Sequence, residues 1–115
     1  MYVPSDLILT NYAKVLVDFA LGSEEGIKKD EVVLLQFDLP ALPLAKAVYT
    51  RILQKGGHPI VRMHEEDFSR LLYESASDEQ LQFFPKNYMK SLVDTVDHRM
   101  YLIGTADPFL LKGVD

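Results

Sequence analysis

A short aliphatic run, from Glu31 to Phe37, restricts the folds open to this chain. It reads Glu-Val-Val-Leu-Leu-Gln-Phe and is nearly continuous in apolar character rather than alternating between apolar and polar residues. Strands buried on both faces of a parallel sheet have this form, because neighbouring helices cover both faces. The run therefore predicts a doubly buried strand of an α/β domain.

A helix is predicted on each side of this run. Before it, apolar residues recur at the helical period from Leu9 to Ala20, with Ser5 as N-cap and Gly22 as the C′ residue. This first helix is apolar around most of its circumference, so we expect it to be covered on more than one side. The second helix repeats the helical period from Ala45 to Leu53 and ends at the glycine pair 56–57.

The rest of the chain adds two strands with helices between them. The strands are predicted at Pro59–His64, nearer a sheet edge, and at Arg99–Gly104. Between them, a third helix is predicted from the spacing of Phe68, Leu71, Leu72 and Ala76. A short fourth helix begins with a capping box at Ser77–Gln80 and stops at Pro85. A fifth helix is predicted from Met89, Leu92, Val93 and Val96. We expect the aromatic residues of these elements to pack in the core: Tyr49, Tyr73, Tyr88, Tyr101, Phe83 and Phe84.

This order of elements predicts right-handed crossovers and an α/β fold, a three-layer parallel sheet with helices on both faces. Few strands are visible for such a domain. The closing segment, Asp107 to Gly113, looks like an N-cap, an N1 proline and a short helical turn that should lead into more structure. We therefore expect residues 1–115 to form an incomplete domain, excised or truncated from a longer chain.

Composition excludes several classes of protein. Twelve Lys and Arg against 17 Asp and Glu give a formal net charge of −5, and the chain has no Cys and is 48% hydrophobic. These values are typical of a globular domain without disulfides, thiolate nucleophiles or cysteine-ligated zinc. The acid excess argues against nucleic acid as a partner. With no basic leader and no apolar run near the roughly 18 residues of a membrane span, we expect neither export nor membrane insertion, and a cytoplasmic location fits.

Polar residues follow each predicted strand. Asp38 follows the first, His64-Glu65-Glu66-Asp67 the second, and Thr105 and Asp107 the third. Carboxyl ends of parallel strands form the ligand crevice of open sheets, so these residues could hold a hard divalent ion or perform acid–base chemistry. Capping of the helices that follow is the favoured interpretation. The H-E-x-x-H zinc motif fails here, because Phe68 takes the place of its second histidine.

Other catalytic patterns are missing from the sequence. The glycines fit neither phosphate-binding loop, and the turn after the first strand contains Pro40 and Pro43, which lack the amide hydrogens that a pyrophosphate would need. No G-x-S-x-G elbow is present. His58 and His98 are interpreted as surface or strand-entry residues.

Four segments together resemble the amino-terminal region of the thermophilic metallo-aminopeptidases, the family of aminopeptidase T and aminopeptidase S that includes leucyl aminopeptidases. They are Tyr12–Leu21, Ile27–Leu35, Leu72–Leu81 and Ile103–Asp115, in the expected order. The stretch from Tyr73 to Leu81 and the closing Asp107 to Asp115 are the more specific parts. The Asp38–Pro43 turn departs from the family pattern.

The resemblance implies a two-domain exopeptidase that removes amino-terminal residues from peptides with two divalent metal ions, Zn, Co or Mg. In the family the metal ligands come from the carboxy-terminal domain. The resemblance therefore assigns no catalytic residue and no metal ligand to Met1–Asp115, and leaves substrate-binding residues unknown. It implies a non-catalytic amino-terminal α/β domain, inactive alone, whose partners are its own catalytic domain, peptide substrates and a second subunit in a homodimer.

Two other functions stay open at this point. One is a stand-alone module that binds a small cationic ligand, one Mg²⁺ or another protein through the acidic cluster of Asp38, His64, Glu65 and Asp107. The other is a receiver-like or scaffolding α/β domain, which is less favoured because the first strand is followed by one Asp and two prolines.

Overall fold

A three-stranded parallel sheet forms the centre of the molecule, in a computed structural model that describes residues 5–20 and 26–104. The strands are β1 (Val32–Asp38), β2 (His58–His64) and β3 (His98–Leu102), in the spatial order β2-β1-β3. All pairing is parallel, which confirms the predicted α/β class. β2 lies at an edge of the described sheet, as its weaker apolar pattern predicted.

The middle position of β1 explains its continuous apolar run. Leu35 lies opposite Val61 on one side and Met100 on the other, and it is fully buried. Leu34 points to the other face, where it is only 2% exposed between its partners on the two flanking strands. β1 is therefore buried on both faces at its middle, as the run indicated, while Val32 and Gln36 are half-buried.

The helices occupy nearly the predicted positions. They are α1 (Asp6–Val15), α2 (Leu42–Gln54), α3 (Glu66–Ser75), α4 (Asp78–Leu81) and α5 (Lys86–Thr95). α1 continues as a π-helical turn, Leu16–Ala20, and a 3₁₀ turn, Leu39–Ala41, precedes α2. No described helix is long and apolar enough to cross a bilayer.

Local sequence explains where these helices begin. Ser5 accepts a hydrogen bond from the Ile8 amide, so it is the N-cap that the sequence predicted. The capping box at α4 is also present, since Ser77 accepts from the Gln80 amide while the Gln80 side chain accepts from the Ser77 amide. Gly22, Thr105 and the Asp107–Gly113 turn lie outside the described residues.

The hydrophobic core occupies one face of the sheet, where α1 and α2 pack against β1. Its buried members come from these two helices, from the chain around them and from alternate positions of β1 and β3: Leu9, Ala13, Leu16, Val17, Ile27, Val33, Leu35, Phe37, Ala41, Leu44, Ala45, Val48, Ile52, Met100 and Leu102. α1 buries only one side, because Leu7, Ile8 and Val15 are all more than half exposed. The expectation of cover on several sides is wrong within the described residues.

The second crossover contributes nothing to this core. It contains α3, α4 and α5, and none of their residues is buried. Since β2 and β3 flank β1 on opposite sides, right-handed crossovers direct this segment and α2 to opposite faces of the sheet. The expected core packing of the aromatic residues is wrong. More than half of the side chain is exposed at Tyr73, Phe83, Phe84 and Tyr88, and Tyr49 and Tyr101 are each 38% exposed.

An ion pair joins the π-helical turn to α2. Arg51 donates from Nε to Asp18 Oδ1 at 2.9 Å and from Nη2 to Asp18 Oδ2 at 2.6 Å. This paired geometry holds the pKa of the Asp18 carboxyl below its ordinary value, chiefly through the hydrogen bond from Arg51 and against the opposing effect of burial. A carboxyl whose pKa is lowered by folding stabilises the folded state above its unfolded pKa.

We expect Asp18→Asn to lower the free energy of unfolding by about 1 kcal/mol at neutral pH. This deficit should shrink as the pH falls below about 4, because the wild-type carboxyl then takes up a proton and loses its charge. Urea unfolding of both proteins at several pH values measures the difference. Glu74→Gln, which alters an exposed pair with Arg70, is the control and should show no such pH-dependent deficit.

Candidate functional site

A polar cavity lies at the carboxyl edge of the sheet. It has a volume of about 410 Å³ and is lined by Asp38, Leu39, Pro40, His64, Glu65, Glu66, Tyr101 and Ile103. The parallel register brings these residues together, since Asp38 is paired with His64 at the ends of β1 and β2. The structure thus collects three of the four residues of the predicted acidic cluster, and Asp107 lies outside the described residues.

Asp38 is the most buried polar group of this cavity, at 7% exposure. Its Oδ1 accepts hydrogen bonds from the amides of Ala41, at 3.1 Å, and Gly104, at 3.0 Å. Its Oδ2 also lies 3.0 Å from the Gly104 amide. The carboxylate therefore caps the turn after β1 and fastens it to the chain that leaves β3, which supports the capping interpretation.

The acidic residues after β2 have the same structural role. Glu65 is the N-cap of α3 and accepts from the Asp67 amide at 3.2 Å. Asp67 in turn pairs with Arg70 at 3.0 Å. These carboxylates stabilise the beginning of α3, where backbone amides lack helical partners.

The donor set of this cavity does not fit a metal ion. Among residues 5–20 and 26–104, no group of at least three His, Cys, Asp or Glu side chains could hold one. The best-placed ligand, Asp38, already accepts backbone hydrogen bonds with both oxygens. The residues described here thus do not supply the metal centre that the sequence resemblance implies, and no step of metal chemistry is derived from them.

The other two histidines lie at the amino-terminal edge of the sheet, away from this cavity. His98 lies 3.0 Å from Glu31 Oε1 at the start of β3, and His58 lies 3.2 Å from Asp30 Oδ1 at the start of β2. The His98 contact and a backbone hydrogen bond from Lys28 hold the pKa of Glu31 below its ordinary value. His58 and His98 are the first residues of β2 and β3, the strand-entry positions that the sequence predicted.

A second concave surface was not identified as a site from the sequence. It is an apolar groove of about 720 Å³ between α3 and α4, lined by Leu71, Leu72, Ser75, Ala76, Glu79, Gln80 and Phe83. We call it the α3–α4 groove. The helical spacing of Phe68, Leu71 and Leu72 is the sequence signal for this surface, and by itself it predicts a helix but no groove.

The fold is similar to that of one solved structure. The structure of wild-type AmpT from Thermus thermophilus matches with a TM-score of 0.69 and 16% sequence identity. The match covers 93% of this chain and 27% of that one, so the chain spans about a quarter of the length of AmpT. At this identity the likeness shows the fold alone. No curated protein matches the sequence.

A family model identifies the relationship independently of the fold. The model of the thermophilic metalloproteases, M29, matches residues 6–115. The match includes all five described helices and all three strands. The chain therefore belongs to the M29 family of thermophilic metalloproteases.

Proposed function

We propose that residues 1–115 form part of the non-catalytic, amino-terminal α/β domain of a divalent-metal-dependent aminopeptidase. The match of the M29 family model to residues 6–115 is the observation that carries this proposal. The proposal assigns the metal ions to another part of the enzyme. When bound there, such ions, which we expect to be Zn, Co or Mg, would supply an activated water and polarise the scissile carbonyl.

In this proposal the domain has a structural role. It packs beside the catalytic domain of the same protein, helps to enclose the active-site cavity and contributes to a cytoplasmic homodimer. Its uncovered apolar helices support such a role, because large exposed apolar patches are typical of contact surfaces. A stand-alone binding module is less favoured, since Asp38, the most buried acid of the polar cavity, is already engaged by backbone amides.

We expect the purified 115-residue protein to release no amino-terminal leucine from a leucyl peptide with added Zn²⁺, Co²⁺ or Mg²⁺. The physical reason is that no described cluster provides the ligands for a metal-bound water. Chromatographic detection of free leucine measures the reaction. Co-production with the remainder of the parent reading frame should yield activity that a chelator abolishes.

Chelator-sensitive release of leucine by the 115-residue protein alone would contradict the non-catalytic assignment. A parent reading frame that ends at residue 115 would contradict the two-domain assignment. Failure of the co-produced protein to cleave any leucyl peptide would contradict the aminopeptidase assignment itself.

A further inference from the structure

The α3–α4 groove presents large apolar side chains to water. Leu71 is 46% exposed, Leu72 is 50% exposed and Phe83 is 74% exposed. Phe68, 71% exposed, continues the same side of α3, since positions 68, 71, 72 and 75 follow the helical spacing of one face. Contiguous apolar patches of this kind are uncommon on monomers and mark contact surfaces.

The polar side of α3 is well satisfied. Arg70 pairs with Asp67 at 3.0 Å and approaches Glu74 at 3.7 Å, one turn away in each direction. α3 is therefore amphipathic, with one polar side that faces water and one apolar side. Its sequence satisfies the requirements of a packed amphipathic helix, while the structure leaves the apolar side uncovered.

The segment that forms the groove is acidic. Residues 65–81, which contain α3 and α4, carry six carboxylates and one arginine. Their net charge of −5 equals the formal net charge of the whole chain. Glu79 lines the groove itself, whereas Asp67 and Glu74 pair with Arg70 on the polar side of α3 and Glu65 and Glu66 line the polar cavity. An apolar groove that has a carboxylate in its lining, on a segment of negative net charge, is complementary to an apolar helix with basic flanks.

We propose that the α3–α4 groove binds a basic amphipathic helix from the catalytic part of an M29 peptidase, which rests on the function proposed above. Such a helix places apolar side chains at spacings of three and four residues into the groove and a Lys or Arg residue against Glu79. A second copy of this surface is a poor occupant, because it would bring two segments of charge −5 together. The length of AmpT, of which this chain spans 27%, leaves ample chain to supply the helix.

The test uses designed peptides of about 15 residues and the 115-residue protein. One peptide has Leu and Lys at the helical period, a second has the same composition in scrambled order, and a third replaces Lys by Glu. Fluorescence anisotropy of labelled peptides measures the dissociation constants. We expect the amphipathic basic peptide to bind at least about tenfold more tightly than either of the others.

Substitutions locate the binding surface. The double variant Leu71→Asp, Phe83→Ser should weaken binding of the basic peptide at least about tenfold, and Glu79→Lys should weaken it and reduce its salt dependence. Leu53→Asp is the matched control, because Leu53 is 52% exposed on α2 and does not line the groove. Circular dichroism and urea unfolding establish that each variant is folded.

Three results would overturn the inference. They are equal binding of the scrambled peptide, equal binding of the acidic peptide, and unchanged binding by a folded groove variant. A dimer in sedimentation that dissociates in the groove variant would assign the surface to a second copy instead. Each of these outcomes is distinguishable from failure of the proposed function, which is judged by leucine release from the co-produced protein.

Discussion

Replacing Asp38 by alanine is expected to lower the free energy of unfolding by about 3 kcal/mol. The side chain is 7% exposed and accepts hydrogen bonds from the Ala41 and Gly104 amides. Alanine would remove the N-cap of the turn after β1 and leave both amides without this acceptor. Urea unfolding followed by circular dichroism measures the loss.

Two further variants separate the hydrogen bonds from the charge at this position. Asp38→Asn can keep an oxygen in the place of Oδ1, which is the atom shared by both amides, so we expect a smaller loss than for alanine. Asp94→Ala removes an exposed acid from α5 and should change stability by less than about 0.5 kcal/mol. An Asp38→Ala protein as stable as the wild type would show that the hydrogen bonds from the Ala41 and Gly104 amides to this carboxylate do not stabilise the fold.

Replacing Gly26 by alanine is expected to have a still larger effect, a loss of at least about 4 kcal/mol or failure to fold. Gly26 has a φ of +75°, a left-handed conformation that residues with a Cβ rarely adopt. A Cβ at this position would overlap the Asp18 carbonyl oxygen and lie 2.8 Å from that of Val17. These atoms belong to the backbone of the π-helical turn, so no side-chain rotation relieves the clash.

Gly56→Ala is the matched control for this prediction. Gly56 is also left-handed, with a φ of +83°, but its nearest neighbour would be the flexible Lys29 side chain, at 3.2 Å from Cγ. Alanine should therefore cost about 1 kcal/mol there, from backbone conformation alone. Thermal unfolding of both variants measures the comparison, and equal losses would refute a clash at Gly26.

The resemblance to the metallo-aminopeptidases could be recognised from sequence because it depends on residue order, and the M29 family model confirms it. The polar cavity could also be anticipated in part. Strand ends of a parallel sheet meet at one edge, so Asp38, His64 and Glu65 were expected together, and the structure places them in one cavity. The hydrogen bond from the Gly104 amide to Asp38 could not be anticipated from the sequence, because the two residues are 66 positions apart.

The α3–α4 groove shows what a periodic pattern leaves undetermined. The spacing of Phe68, Leu71 and Leu72 predicts an amphipathic helix whether its apolar side meets the same domain, another domain or water. Core packing was the natural expectation for these helices. The described residues instead leave the apolar side exposed, because the buried core lies on the opposite face of the sheet, with α1, the π-helical turn and α2.

The sequence by itself determined the local elements, their order and the parallel α/β class. Caps, helical periods and the apolar β1 run are set by neighbouring residues, so they can be recognised without coordinates. Only the tertiary structure decided which apolar faces are buried and which carboxylates are already engaged by backbone amides. Those outcomes depend on contacts between residues far apart in the chain, and such contacts arise only when the strands and helices pack together.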